Sequence, residues 1–307
     1  MLRLYTHPAC LQHDPGPGHA EQPARLRAVL QALDRDEFRA IDRIEAPRAT
    51  REQLQRVHHA RHVEHILSCV PAAGEHRRLD PDTVMSTDSA EAALRAAGAL
   101  VAAVDAVLGG NARRAFCAVR PPGHHATADQ AMGFCLFNNV AVAAAHALAA
   151  HGLKRVAIAD FDVHHGNGSQ AIFQREPRVM FTSSHQSPLY PDSGREDEHG
   201  VGNIVNGLLS PGAGSHEFRE LWDAVLLPRL QAFKPQLVLI SAGFDAHARD
   251  PLADIQLGQE DYAWITEHLV ALARQHADGR IVSTLEGGYD LTALAACTRA
   301  HLSALME

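Results

Sequence analysis

Short apolar runs rich in valine, isoleucine, leucine and alanine recur along the chain. Longer stretches that return an apolar residue every three or four positions separate them. The short runs read as buried strands and the longer stretches as helices with one apolar face. Strands are expected over residues 2–5, 40–46, 115–119, 155–159, 178–183, 236–241 and 280–285. Helices are expected over 24–33, 50–67, 89–108, 140–150, onward from 169, and over 215–233, 259–276 and 291–305. Thr50-x-x-Gln53 has the form of a capping box, Gly109-Gly110 stops the alanine-rich helix before it, and Pro235 separates a helix from the next strand. Three segments lack a period: 6–23, 71–88 and 186–214. They read as surface loops, the first long enough to be functional. Strand and helix alternate throughout, which predicts an α/β fold: a central, mainly parallel sheet flanked by helices on both faces.

Composition narrows this picture without changing it. The 307 residues are 46% hydrophobic, enough for a large core, and no break in composition, repeat or low-complexity linker divides them. A single domain over residues 1–307 is expected. The net charge of −8 argues against nucleic acid and against an anionic membrane surface as partners. No stretch approaches the length of a membrane-spanning helix, and no basic start with an apolar run suggests a signal peptide. The five cysteines are odd in number, scattered, and lack any C-x-x-C pair, which fits reduced, buried thiols and a cytoplasmic location.

Histidine is frequent, 21 in all, so its pairs need care. Chance alone gives about 1.4 adjacent pairs at this frequency. Three occur, at 58–59, 124–125 and 164–165, so position decides. His58, His59, His62 and His65 sit among arginine and glutamate and read as surface residues. The other two pairs lie at the carboxyl ends of predicted strands, where open α/β sheets gather their ligands. The central run is Val156-Ala-Ile-Ala-Asp160-Phe-Asp162-Val-His164-His165-Gly-Asn167-Gly. Asp162 and His164 are two apart and share a side of an extended backbone, offering an oxygen and an imidazole nitrogen to a transition metal. His165 points the other way and reads as a non-ligand; His185, at another strand end, lacks ligand spacing. Two further strands end in Ala-Gly-Phe-Asp245 and Glu-Gly-Gly-Tyr289, and the strand before residue 120 ends in Arg-Pro-Pro-Gly-His124-His125. Asp250-Pro251 reads as a turn.

Together with Gly-Phe134-Cys-Leu-Phe-Asn-Asn, these motifs resemble the histone deacetylase superfamily of the arginase/deacetylase fold, most closely its class II-like branch and bacterial relatives. The resemblance implies that Asp162, His164 and Asp245 hold one Zn²⁺, with Fe²⁺ as the other fitting metal. It implies that His124 and His125 flank the reacting water, that Tyr289 hydrogen-bonds the substrate carbonyl, and that Asp160 stands behind His124. A K⁺ or Na⁺ site is implied at Asp160, Asp162, His164, Ser183 and Ser184, and a second, more loosely, at Phe173, Glu176 and Val179. Phe134, Tyr190 and Leu252 match positions lining an acyl-lysine tunnel. Gly287 and Gly288 are read with the substrate-binding set, because they let the chain swing and aim the phenol inward.

The chemistry agrees when read from the residues alone. Two carboxylates and an imidazole leave an open position on a four-coordinate Zn²⁺, which lowers the pKa of a water toward 7 and polarises a carbonyl. One neutral histidine takes the proton and later gives it to the leaving amine. An ionised Asp160 raises the basicity of His124, whereas neutral Asn167 raises that of His125 less. His125 is therefore the expected general base and acid, with His124 mainly electrostatic. The implied activity is removal of acetyl or a similar acyl group from an ε-N-acyl-lysine. The rivals are an acetylpolyamine amidohydrolase; a two-metal ureohydrolase, whose extra carboxylates are missing here; and a non-catalytic reader, which would have lost a ligand or the tyrosine.

Overall fold

The computed structural model describes residues Met1–Glu307. Its strands are β1 (Leu2–Thr6), β2 (Asp42–Glu45), β3 (Arg77–Arg78), β4 (Val84–Met85), β5 (Arg114–Cys117), β6 (Val156–Asp160), β7 (Val179–Gln186), β8 (Ile204–Leu209), β9 (Leu237–Ala242) and β10 (Ile281–Leu285). Its helices are α1 (Pro23–Ala32), α2 (Arg51–Gln55), α3 (Ala60–Ser68), α4 (Ser89–Leu108), α5 (Asn139–Ala150), α6 (Asn167–Phe173), α7 (Ser215–Leu221), α8 (Leu227–Phe233), α9 (Gln259–His276) and α10 (Leu291–Met306). Eight strands form one parallel sheet in the order β2-β1-β5-β10-β9-β6-β7-β8. Helices α4 and α5 pack on each other and on β5 and β6; α1, α10 and α9 pack in series and reach β9. The sheet is thus covered on both faces, as the alternation predicted, and β5, β6, β9 and β10 are buried along their whole length. An 84-residue apolar cluster runs through the molecule.

Four local differences have physical causes. The expected helix over 50–67 opens on its capping box but breaks into α2 and α3, because the His59 N–H goes to Ala128 O at 2.7 Å and leaves the helical ladder. His58 and His62 are buried, not on the surface: the His58 ring bridges Thr127 O and the Asn138 N–H, and His62 Nε2 reaches Leu136 O. His59 and His65 are exposed as expected. The aperiodic stretch 186–214 contains the edge strand β8, whose apolar run is interrupted by Asn206-Gly207. The helix over 215–233 widens to a π-turn at Trp222–Leu226, just before Pro228, whose ring and missing N–H spoil a regular turn. All five cysteines are buried and unpaired. No helix is long and apolar enough to cross a membrane.

Candidate active site

The four central strands β5, β10, β9 and β6 are neighbours, and each leaves the sheet at its carboxyl end in a turn bearing polar groups. This brings Asp162, His164 and Asp245 together, all buried, with donor atoms within 4.8 Å of one another. His164 Nδ1 lies 3.0 Å from Asp162 Oδ1 and 3.2 Å from Asp245 Oδ2. The reason differs from the strand alternation read from sequence. Strand β6 stops at Asp160, whose Oδ1 accepts the Asp162 N–H at 3.1 Å, and Asp162 Oδ1 accepts the His164 N–H at 2.9 Å. Two successive side-chain-capped turns, not a pleat, put both donors on one side. Asp162 Oδ2 also accepts the Gly287 N–H at 2.8 Å, and Asp245 Oδ1 the Val163 N–H at 2.9 Å.

Two glycines make this approach possible. A Cβ at Gly243 would lie 2.1 Å from Asp162 Oδ2, and one at Gly287 would lie 1.9 Å from Asp245 Oδ2. Gly287 therefore stands behind the carboxylates, and Gly288 presents its carbonyl to Arg25. The electrostatics of the donor set call for a cation. Burial opposes charge on Asp162, yet His124 and His164 hold it well below the ordinary carboxylate range. Burial and the charge of Asp162 push Asp245 up. Two carboxylates this close in a dry site do not both ionise unless positive charge lies between them. One imidazole and two carboxylates at this separation fit one divalent ion with an open position.

The two histidines beside this cluster differ in their partners. His124 Nδ1 is 2.9 Å from Asp160 Oδ2; His125 Nδ1 is 2.7 Å from Asn167 Oδ1. An amide oxygen only accepts, so His125 carries its proton on Nδ1 and keeps a lone pair on Nε2. Burial works against charge on His124, but Asp160 and Asp162 outweigh it and raise its pKa well above the usual value. Burial, reinforced by His124 and His164, pushes His125 well below it. Burial lifts Asp160 to about 6 against the pull of His124. The turn bearing both rings is anchored by residues that stand in the sequence motifs but carry no assigned role there. Glu286 Oε2 accepts the Gly123 N–H at 2.7 Å, and Asn138 Nδ2 donates to His124 O and Ala126 O. Two asparagines opening an otherwise apolar helix were the available signal.

Tyr289 is placed by a second set of unforeseen residues. Its N–H donates to Asp250 Oδ2 at 2.7 Å, and the Arg25 guanidinium lies 4.8 Å from its ring centroid. Arg25 also donates to Gly288 O and Glu286 O, and Glu21 binds Arg25, Arg120 and His13. Asp250 does make the expected turn, through the Leu252 N–H, but its other oxygen holds the tyrosine.

Phe134 and Tyr190 stand over the cluster. Tyr190 is 37% exposed, with its ring 5.3 Å from that of His125; Phe134 lies 6.0 Å from Tyr289. Leu252 is half-buried beside Asp250. Phe137 is core, against His58 and His62. His165 faces Ser193 and Gln170, away from the donor set. The β6–β7 register sets Ser183 against Asp160. His185 Nε2 donates to Gly194 O, so its Nδ1 accepts the Ser183 hydroxyl proton and leaves the serine lone pairs free. Ser184 Oγ accepts from Trp222 Nε1. The carbonyls of Phe173, Glu176 and Val179 also converge, around the amide nitrogen of Asn203. A separate cluster, Asp105 with His146 and His151, is no rival. Arg56 donates to His146 Nδ1, which puts the proton on Nε2 and removes the lone pair a metal needs.

Fold and site together present a candidate metal centre at the carboxyl edge of a parallel sheet. The histone deacetylase domain pattern matches residues 19–305, and the chain belongs to the histone deacetylase family, which is in general metal-dependent. It is 43% identical over 278 residues to a histone deacetylase-like amidohydrolase of Pseudomonas aeruginosa, covering 89% of this chain and 73% of that one. It is 37% identical to a probable deacetylase of Archaeoglobus fulgidus, covering 94% and 81%. The crystal structure of the HDA15 HD domain superposes with a TM-score of 0.94 at 35% identity, covering 99% of this chain and 88% of that one.

Proposed function

We propose that the protein is a metal-dependent amidohydrolase that removes acetyl or a similar acyl group from ε-N-acyl-lysine. One observation carries this reading: a buried Asp-His-Asp donor set faces two histidines of opposite basicity, and Tyr289 follows two residues after the glycine whose N–H bonds Asp162. A divalent cation held by Asp162, His164 and Asp245, Zn²⁺ or else Fe²⁺, would supply Lewis acidity and make water more acidic. His125 accepts the water proton at Nε2, since Asn167 already holds its Nδ1–H, and returns that proton to the departing amine. His124, kept charged against Asp160, provides fixed positive potential for the developing oxyanion. The Tyr289 hydroxyl donates to the same oxygen. Phe134 and Tyr190 line the approach for an aliphatic side chain. Ser183 and the carbonyls near Asp160 are the groups that would hold a K⁺ or Na⁺ ion and brace β6.

The same centre would serve an acetylpolyamine, and Asp80 and Asp82, near enough to push Tyr190 further up on top of its burial, favour a cationic substrate of either kind. The test is kcat/KM of Zn²⁺-loaded protein on an acetyl-lysine peptide and on acetylputrescine, with Tyr289→Phe as control. Faster peptide turnover, reduced about 10²–10³-fold in the control, supports lysine deacylation. Preference for acetylputrescine moves the protein to the polyamine reading. Turnover that survives in the control refutes the role of Tyr289.

A further inference from the structure

Between α6 and β7 the chain turns back on itself, and three backbone oxygens of that turn face one point. The resemblance to the family leads one to expect a second monovalent cation there. The structure puts a side chain in its place. Asn203 Nδ2 lies 2.8 Å from Phe173 O, 3.1 Å from Glu176 O and 2.7 Å from Val179 O. Asn203 is 3% exposed, and its Oδ1 shares the Val201 N–H, at 3.1 Å, with Gln174 O. That contact fixes which end of the amide points inward, because the flipped form would aim an oxygen at three carbonyls and leave the Val201 N–H one acceptor short. An ion held by the same three oxygens would need the space the nitrogen fills.

We infer that Asn203 closes this turn with its own amide in place of an ion, so that the chain carries one monovalent-cation site and not two. An amide –NH₂ presents two positively polarised hydrogens, enough for two carbonyls directly and the third by sharing. It is neutral, so no ion is stripped of water to complete the turn. It is covalently attached, so this end of β7 keeps its geometry at any K⁺ concentration. The only cation-sensitive segment is then the one around Asp160 and Ser183. The closure rests on the Asn203 amide and three backbone carbonyls, whatever reaction the active site performs.

Thallium(I), a K⁺ mimic with strong anomalous scattering, tests this on crystals of the wild-type protein. The expected result is no anomalous peak among the carbonyls of Phe173, Glu176 and Val179; a peak there overturns the inference. A second measurement compares melting of wild type and Asn203→Ala with KCl or tetramethylammonium chloride as the salt. In tetramethylammonium the variant should melt about 2–6 °C below wild type, and KCl should restore part of that difference as an ion enters the opened cluster. A variant as stable as wild type without K⁺, or a loss that K⁺ leaves untouched, refutes the exchange of amide for ion.

Discussion

Replacing Asn167 by aspartate tests the division of labour between the two histidines. Asn167 Oδ1 is 2.7 Å from His125 Nδ1 and is neutral, so it orients the ring and favours its charged form less than a carboxylate would. Asn167→Asp keeps the acceptor and adds a negative charge at hydrogen-bond distance. Unit charges about 4 Å apart at an effective dielectric constant of about 20 attract by about 4 kcal/mol, equivalent to a pKa change of about 3. Because the new carboxylate would itself be partly buried and costly to ionise, the His125 pKa is expected to rise by about 1–3. A raised histidine pKa means the proton stays on to higher pH, so the free base is scarcer at any pH below the new value. The acid limb of the kcat/KM profile, measured on the Zn²⁺-loaded protein with an acetyl-lysine peptide from about pH 5 to about pH 9, should move up by that amount. At a fixed pH on that limb, kcat/KM should fall about tenfold for every pH unit the limb moves. Asp160→Asn is the matched control: it weakens the partner of His124 and leaves the His125 acceptor untouched, so its main effect should be a lower plateau. An acid limb that stays in place in Asn167→Asp would refute the assignment of His125 as base.

Three other outcomes follow from the surrounding shell. Asp250→Ala leaves the Tyr289 N–H without its acceptor and should lower kcat about 10–100-fold with little change in KM, whereas Asp250→Asn, which keeps an oxygen there, should recover most of the loss; steady-state kinetics decide it. Gly287→Ala drives a Cβ to 1.9 Å from Asp245 Oδ2, so metal content measured by atomic emission should fall well below one ion per chain while far-UV circular dichroism stays native. Glu286 is pushed up to about 7 by burial, against the pull of His124 and the Gly123 N–H. Its folded pKa exceeds its unfolded value, so its contribution to stability is full below the unfolded pKa and is lost as pH rises through about 7. Urea unfolding of the wild type should show that decline on the order of 3 kcal/mol, and Glu286→Gln should flatten it.

The fold was legible because its strands are buried on both faces and its helices carry their own punctuation. Helix α4 runs over Ser89–Leu108, the expected span, and β1, β5, β6, β7, β9 and β10 lie within two or three residues of their expected ends. What escaped was decided by partners far along the chain. Residues 56–59 have helical composition, yet the His59 N–H bonds Ala128 O, a contact no local period encodes. Strand β8 has Asn206-Gly207 at its centre and is held by pairing with β7 on one side only. His58 and His62 stand among arginine and glutamate in sequence, but tertiary packing turns their rings inward, where backbone groups satisfy them.

The site divides along the same line. Each group nearest the chemistry sits at the end of a strand, and the strand announces it: Asp162, His164, Asp245, His124, His125 and Tyr289 all follow a buried apolar run. The residues that hold those groups have no such address. Glu21 and Arg25 lie in or beside an N-terminal loop, about 260 residues before Glu286 and Gly288, whose carbonyls Arg25 bonds. Asp250 belongs to a turn; Glu286 does follow a strand and opens the Glu-Gly-Gly-Tyr289 motif, but nothing in the sequence gives it a role. Their importance comes from burial, which sequence alone does not reveal: an arginine with no exposed surface must find acceptors, and here they are the carbonyls of Glu286 and Gly288, on either side of the glycine whose N–H bonds Asp162. Arg25 thus fixes the backbone that bears both the contact to the Asp162 carboxylate and the phenol. The Arg25–Glu21–Arg120 network couples the two, so its disruption should move metal affinity and Tyr289 together, whereas Asp250→Ala should move the tyrosine alone.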